Sequence, residues 1–418
     1  MAREMKATGL QWLGQIPREW NLVKIGNQYT ERRTKVSDTE YPPLSVTMKG
    51  ILPQLATAAK TDAHDDRKLV CVGDFAINSR SDRRGSCGIS PYEGSVSLIN
   101  TILTPRETMH PQYYDWLFHS TMFSDEYYSW GHGIVDDLWT TGWQDMKKIM
   151  IPEPPLEEQA RIASFLDRKC AEIDSVVAET QKTIEEYKSL KQAIITEAVT
   201  RGVCGQRKLK SSGIEWIGDI PSDWQVAKIK HSIKWKSVKG NPDGTVLSLY
   251  RDYVVIPKDS RDDNHNVTSL DTSTYKVVDI GDFVINKMKA WQGSMAVSDY
   301  CGIISPAYHV CEITNPGIYK KYFHHLLRNH LYLPEYTRLS TGMRIGQWDL
   351  GFDDFKNLPF VIPPYDEQVE IVEYIEKVCK KYDTLIERKT NLLEEMECYR
   401  KSVIYEYVTG KKEVPACQ

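Results

Sequence analysis

Two stretches of this chain carry apolar residues at spacings that alternate between three and four. The first runs through Ile162, Phe165, Leu166, Ile173, Val177, Ile184, Tyr187, Leu190, Ile194 and Ala198. The second runs through Ile371, Ile375, Val378, Tyr382, Leu385, Ile386, Leu393, Met396, Tyr399, Val403 and Tyr407. That spacing draws one apolar stripe down an α-helix, the seam of a coiled coil. Prolines precede each stretch, at Pro152, Pro154 and Pro155 and at Pro363-Pro364, and proline is tolerated only up to the first helical turn. Gly202 and Gly410 are placed to stop the helices. Each helix is expected to be roughly 65–70 Å long. A single apolar stripe of that length needs a partner, and the other stretch, lying antiparallel, is the obvious one. The expected pairing residues are Ile173, Val177, Ile184, Tyr187 and Ile194 against Ile375, Tyr382, Ile386, Leu393, Met396 and Val403. Charged neighbours such as Glu185, Glu186 and Lys188 then form a solvated face.

The chain repeats itself. Gly142 to Thr200 align without a gap on Gly351 to Thr409, so that Glu158-Gln159 and Asp174 return as Glu367-Gln368 and Asp383. The segment from Gly9 to Trp20 returns as Gly213 to Trp224, with Trp12 and Trp20 matched by Trp216 and Trp224. Repeated tryptophans are packing residues far more often than ligand contacts, and all four are expected in cores. Period-two patterns at Lys68–Asn78 and Tyr275–Asn286 predict matching strand–turn–strand elements. Pro111–Ser120 and Pro316–His325 predict matching short helices. The expected fold is mixed α/β with a pseudo-twofold internal repeat. Two globular domains, 1–152 and 206–362, are separated by two long antiparallel helices, 153–205 and 363–411, and a short tail covers 412–418.

Composition narrows the class. A chain of 418 residues exceeds what one core usually serves. It has no apolar run of about eighteen residues and no secretory signal, so a cytoplasmic protein with no membrane span is expected. The nine cysteines are scattered without a Cys-x-x-Cys pair, which fits reduced thiols and argues against a zinc site. The net charge of −4 does not advertise a nucleic-acid binder. The basic residues of interest sit in short clusters.

Catalytic signatures are missing. There is no Gly-x-x-x-x-Gly-Lys-Ser/Thr phosphate loop, no dinucleotide fingerprint and no His-Glu-x-x-His. The Asn-Pro dipeptides at Asn241 and Asn315 lack the continuation used by amino-methyltransferases. His324-His325 cannot face one metal from adjacent helical positions. Asp136-Asp137 and Asp353-Asp354 read as loop residues or caps. What remains is a pair of basic loops at equivalent repeat positions. Ser79, Arg80, Arg83 and Arg84 lie in one; Lys287, Lys289, Trp291 and Gln292 lie in the other. Arginine can grip a guanine edge or a phosphate, glutamine an adenine, and lysine usually holds phosphate. A solvated basic turn is the competing reading. A second pair of glycine-containing loops precedes the helices, with His132 in the first and Arg338 and Arg344 in the second. These suit close approach to DNA or a tight loop around a buried Trp equally well.

The Trp-Leu-Gly-x-Ile-Pro-x-x-Trp opening, the Asn78–Ser86 and Asn286–Gly293 loops, and the Pro-Pro-x-x-Glu-Gln helix start together resemble the specificity subunit of type I restriction–modification enzymes. The likeness runs in order through both copies. It implies a protein that is not an enzyme itself, in which each globular part is a target recognition domain for one half of a split, asymmetric DNA sequence. The paired helices would set the spacing. Partners would be double-stranded DNA, two methyltransferase subunits and motor-nuclease subunits. No cofactor is expected on this chain, because S-adenosylmethionine, ATP and Mg would belong to those partners. Two rivals remain: a recognition module of a single-chain restriction–methylation protein, and a coiled-coil scaffold binding only proteins.

Overall fold

The computed structural model describes residues 3–54, 65–133, 139–205, 207–240, 244–250, 254–260, 272–342 and 348–415. The chain packs as two compact units, Met1–Gln181 with Asn391–Gln418, and Lys182–Thr390. The two long helices span Leu156–Arg201 and Tyr365–Val408. Each starts just after a proline, with acidic residues in its first turn (Glu157 and Glu158; Asp366 and Glu367) opposite the positive end of the helix dipole. Gly202 ends the first helix and Gly410 follows the second, both with left-handed φ, +79° and +68°.

Each unit takes one half of each helix. In the first unit the halves run antiparallel. Phe165 and Tyr407 rings meet at 4.4 Å, and nearer the middle Asp174 faces Arg400 at 3.4 Å. Ile162, Leu166, Cys170, Val403, Ile404 and Val408 join that unit's core. In the second unit Lys191 pairs with Asp383 at 2.6 Å, and Tyr187 meets Tyr382 edge-on at 5.9 Å. Of the expected pairing residues, Ile173, Ile184, Ile375, Tyr382 and Val403 are buried, while Val177, Tyr187, Ile194, Ile386, Leu393 and Met396 are half-buried. Two members of the predicted stripes depart from it: Leu190 and Tyr399 lie exposed. Ile195, which the predicted stripe did not include, is buried in the second unit's core with Ile217 and Trp224.

The globular part of each unit is built on one four-stranded antiparallel sheet. In the first unit the order is Cys87–Ile89, Phe75–Asn78, Asn100–Pro105, Tyr29–Glu31; in the second it is Met295–Val297, Phe283–Asn286, Tyr308–Ile313, Ile233–Lys236. Both predicted strand–turn–strand elements are present, but their two strands serve different sheets. Arg67–Val70 pairs with Gly94–Ser97, and Lys276–Val278 pairs with Gly302–Ile304. Pro111–His119 is helical, whereas its counterpart begins at Lys320 rather than Pro316 and ends at Leu327. Asn315 explains the delay: its side chain accepts from the Gly317 amide in a turn that holds the chain outside the helix. Glu153, expected at the start of the first helix, ends a strand, Met150–Glu153, paired with Asn21–Lys24. Pro359–Ile362 pairs in the same way with Gln225–Lys228.

Each helix is then locked to its globular part by the repeated Glu-Gln. Glu158 accepts from the indole N–H of fully buried Trp20 (2.8 Å) and from Arg3 (2.6 Å). Glu367 accepts from buried Trp224 (3.0 Å) and from Arg207. Gln159 accepts from the His110 amide and donates to Pro154 O; Gln368 accepts from the Tyr319 amide and donates to Pro363 O. Tyr113 and Tyr322, both fully buried, close the pattern by donating to Val408 O and Val199 O. Trp12 is buried and Trp216 half-buried, each packed into its unit's core. No described helix is long and apolar enough to cross a membrane.

Candidate nucleic-acid interface

In the first unit, the chain leaves strand Phe75–Asn78 into a single 3-10 turn, Ser81–Arg83. Asn78 precedes it in an Asx turn, its side chain accepting from the Arg80 amide at 3.0 Å. Arg80, Arg83 and Arg84 are exposed. Arg83 lies 3.6 Å from Asp82; Arg84 pairs with Asp125 at 3.0 Å and stands over the Tyr128 ring at 5.4 Å. Ser79, expected as a contact, is turned inward: it is 8% exposed and its hydroxyl donates to Ile99 O. The strand alternation that leaves Arg80 outside sends Ser79 to the inner face.

The two candidate loops of this unit meet. The Ser81 amide donates to Trp139 O and the Thr141 amide to Ser79 O. His132 pairs with Thr140 through backbone hydrogen bonds in both directions, and its exposed ring sits 3.3 Å from Asp145. Trp139 is held by its indole donating to Tyr128 O at 2.8 Å. Gly131 is required there, because a Cβ would fall 2.3 Å from that indole nitrogen.

In the second unit the equivalent loop is a longer 3-10 segment, Lys287–Gln292, capped by Asn286 and released by Gly293 at φ +79°. Lys289 and Met288 are exposed, while Lys287, Trp291 and Gln292 are half-buried. Trp291 donates to Met288 O and its ring lies 5.2 Å from Trp348, so here too the two loops are brought together. Arg338 is exposed but engaged by Glu335 through two hydrogen bonds of 3.0 and 2.6 Å. Arg344 lies outside the described residues, as do Asp136 and Asp137. Asp353 and Asp354 sit in the first turn of the short helix Phe352–Phe355. His324 and His325 are embedded: burial pushes His324 well below the ordinary imidazole range and His325 down to about 4. Among the described residues no group of three or more His, Cys, Asp or Glu could hold a metal ion.

Three neighbours of Lys287 fall outside the motif reading. Trp235 is 52% exposed on strand Ile233–Lys236, Lys276 reaches to 5.9 Å over its ring, and Lys239 bridges to Lys276 through the backbone. The alternation Lys234-Trp235-Lys236, an aromatic between cations on a strand, carried the signal.

Residues 221–395 match the family model described as the type I restriction modification DNA specificity domain. A type I restriction enzyme MjaVIII specificity subunit from Methanocaldococcus jannaschii is 26% identical over 236 residues, 54% of this chain and 51% of that protein. The chain thus spans about half the length of that relative. Among solved structures, one described under complex assembly and conformational transition of the type I R-M system aligns with a TM-score of 0.70 at 14% identity, over 95% of this chain and 99% of that one. The HsdS subunit from Thermoanaerobacter tengcongensis aligns with a TM-score of 0.55 at 16% identity, covering 97% of this chain and all of the other (100%). Residues 221–395 thus match a type I restriction modification DNA specificity domain, and the chain as a whole shares the fold of these solved type I R-M structures.

Proposed function

We propose that this chain is the non-catalytic DNA-recognition subunit of a type I restriction–modification system. Each globular part reads one half of a bipartite duplex target. The carrying observation is that one frame is built twice, with the same sheet order, the same Trp–Glu–Arg lock and the same Tyr closure, while the loops at one place differ. An Arg-rich turn stands in the first unit and a Lys-Met-Lys-Ala-Trp-Gln turn in the second. A conserved frame with unlike loops suits two readers of different sequences, so the half-sites differ and the target is asymmetric.

The paired helices act as the spacer. Their acid-rich outer faces and long exposed flanks suit docking by two methyltransferase subunits that supply S-adenosylmethionine, and by motor-nuclease subunits that supply ATP hydrolysis and use Mg. Work on DNA of this kind belongs in the cytoplasm. The experiment is genome-wide mapping of methylated adenine in the source strain with and without this gene. A split motif that vanishes with the gene supports the reading; an unchanged methylation pattern overturns it. Co-purification of a tagged chain with a methyltransferase separates it from a scaffold that binds only proteins.

A further inference from the structure

The repeat permits a position-by-position comparison of the two sheets, and one position has opposite electrostatics in the two copies. Strand Tyr29–Glu31 pairs with Asn100–Pro105 as strand Ile233–Lys236 pairs with Tyr308–Ile313. The next residue confirms the register: Arg32 binds Asp74 as Lys236 binds Asp282. Glu31 is therefore the counterpart of Trp235. Lys68 is likewise the counterpart of Lys276, since their ammonium groups donate to the matched carbonyls of Asn100 and Tyr308.

In the first unit Lys68 faces a carboxylate. Burial lowers its pKa, Glu31 opposes that shift, and Arg33, which pairs with Glu31 at 2.5 Å, adds to it. In the second unit no described carboxylate opposes the shift of Lys276. Burial lowers its pKa, and Lys287 and Lys239 lower it further. Among the described residues, Lys239, Lys276 and Lys287 are in no salt bridge. His309, whose ring lies 6.1 Å from Trp235, falls to about 4 through burial and then through Lys287 and Lys276. The patch is thus a local excess of positive charge in a chain whose net charge is −4. At its centre stands an exposed indole, supported from behind by His309 and by Phe352 at 5.5 Å. Three clustered lysines with no carboxylate partner among the described residues cost free energy unless an anion completes them.

We propose that Trp235, Lys239, Lys276 and Lys287 form a phosphate-backbone anchor for duplex DNA in the second unit, which the first unit lacks because Glu31 fills the same place. Lysines hold phosphates as point charges, and the indole covers the adjoining sugar while offering its N–H to a phosphate oxygen. The anchor supplies sequence-independent affinity, and the rest of the flanking loop, residues 288–292, supplies the reading. This rests on the DNA-recognition assignment above, and the test separates the two.

The full chain is titrated into a fluorescein-labelled 30-base-pair mixed-sequence duplex, with anisotropy read from about 50 to 200 mM KCl. Lys239→Gln with Lys287→Gln is expected to weaken binding and to lower the log–log salt slope by about 1.8, two phosphate contacts at about 0.9 each. Lys239→Arg with Lys287→Arg keeps the charges and restores both, which excludes a folding defect. Trp235→Glu weakens binding, and Glu31→Gln in the first unit strengthens it. Wild-type binding with an unaltered slope in the double Gln variant overturns the anchor and leaves the recognition assignment standing. No duplex binding by the wild-type chain, alone or with its methyltransferase, overturns both.

Discussion

The Glu367 lock can be tested by its removal. In Glu367→Ala, the Trp224 indole N–H, in a fully buried side chain, loses its acceptor at 3.0 Å. A buried donor left unsatisfied costs about 1–3 kcal/mol. Arg207 loses its contact to Glu367 but keeps Asp223 at 2.7 Å, and its side chain is 22% exposed, so that loss is discounted to about 0.5–1 kcal/mol. The total is about 1.5–4 kcal/mol. For a unit of this size, about 2–4 °C of melting temperature accompanies each kcal/mol, giving a fall of roughly 3–16 °C. Glu367→Gln keeps an oxygen for Trp224 and loses the charge facing Arg207, so about half the effect is expected. Calorimetry gives the shift, and hydrogen exchange locates it: protection falls around Trp224 and Tyr322 and persists around Trp20. A Glu367→Ala protein melting within about 2 °C of wild type would refute the reasoning, because it would mean the indole finds another acceptor at no cost.

Other outcomes follow from the same geometry. Arg84→Ala is expected to cost about 1–3 kcal/mol of DNA binding and relax one position of the target; equal weakening on all sequences would mark a phosphate contact, and no change would remove Arg84 from the interface. Inserting seven residues into both long helices keeps the apolar seam in phase and adds about 10 Å, so the unread spacer in the methylation motif should lengthen by about three base pairs; an unchanged spacer refutes the ruler. Gly302→Ala brings a Cβ to 2.2 Å from Thr245 O, backbone that cannot swing aside, and should cost about 1–3 kcal/mol in a urea melt, unlike Gly205→Ala, where nothing lies within 4 Å. His309 and His325 both fall from 6.5 to about 4, chiefly through burial. The unfolded chain therefore takes up protons first as pH drops. Their contribution is fully present above about pH 6.5 and is lost as pH falls toward 4. Urea midpoints should decline across that window, and His309→Thr, which installs the first unit's residue, should flatten the decline.

The long helices were legible because burial on one side of a helix leaves a three-and-four spacing that few other structures produce. The duplication was legible because it lies in the residues themselves. The role of Glu158 and Glu367 was not, although their recurrence was plain. Their partners Trp20 and Trp224 lie 138 and 143 residues earlier in the chain, and no local pattern joins an indole to a distant carboxylate. At the candidate interface, composition found the basic loops but could not orient them. Ser79 faces inward by strand parity, and Arg338 is taken by Glu335 three residues before it, a pairing visible in the sequence. Trp235 was missed because repeated tryptophans elsewhere in the chain are core residues, and one outside the repeat asks a different question.

The segment Asn391–Gln418 belongs to the first unit, where Tyr405 donates to Trp12 O and Tyr113 donates to Val408 O. A ribosome therefore makes most of that unit before the second one and adds this strip only after every residue of the second unit has been synthesised. Of the two lobes, the one started earlier is completed later, and a premature stop just short of residue 391 would leave the other whole and this one open.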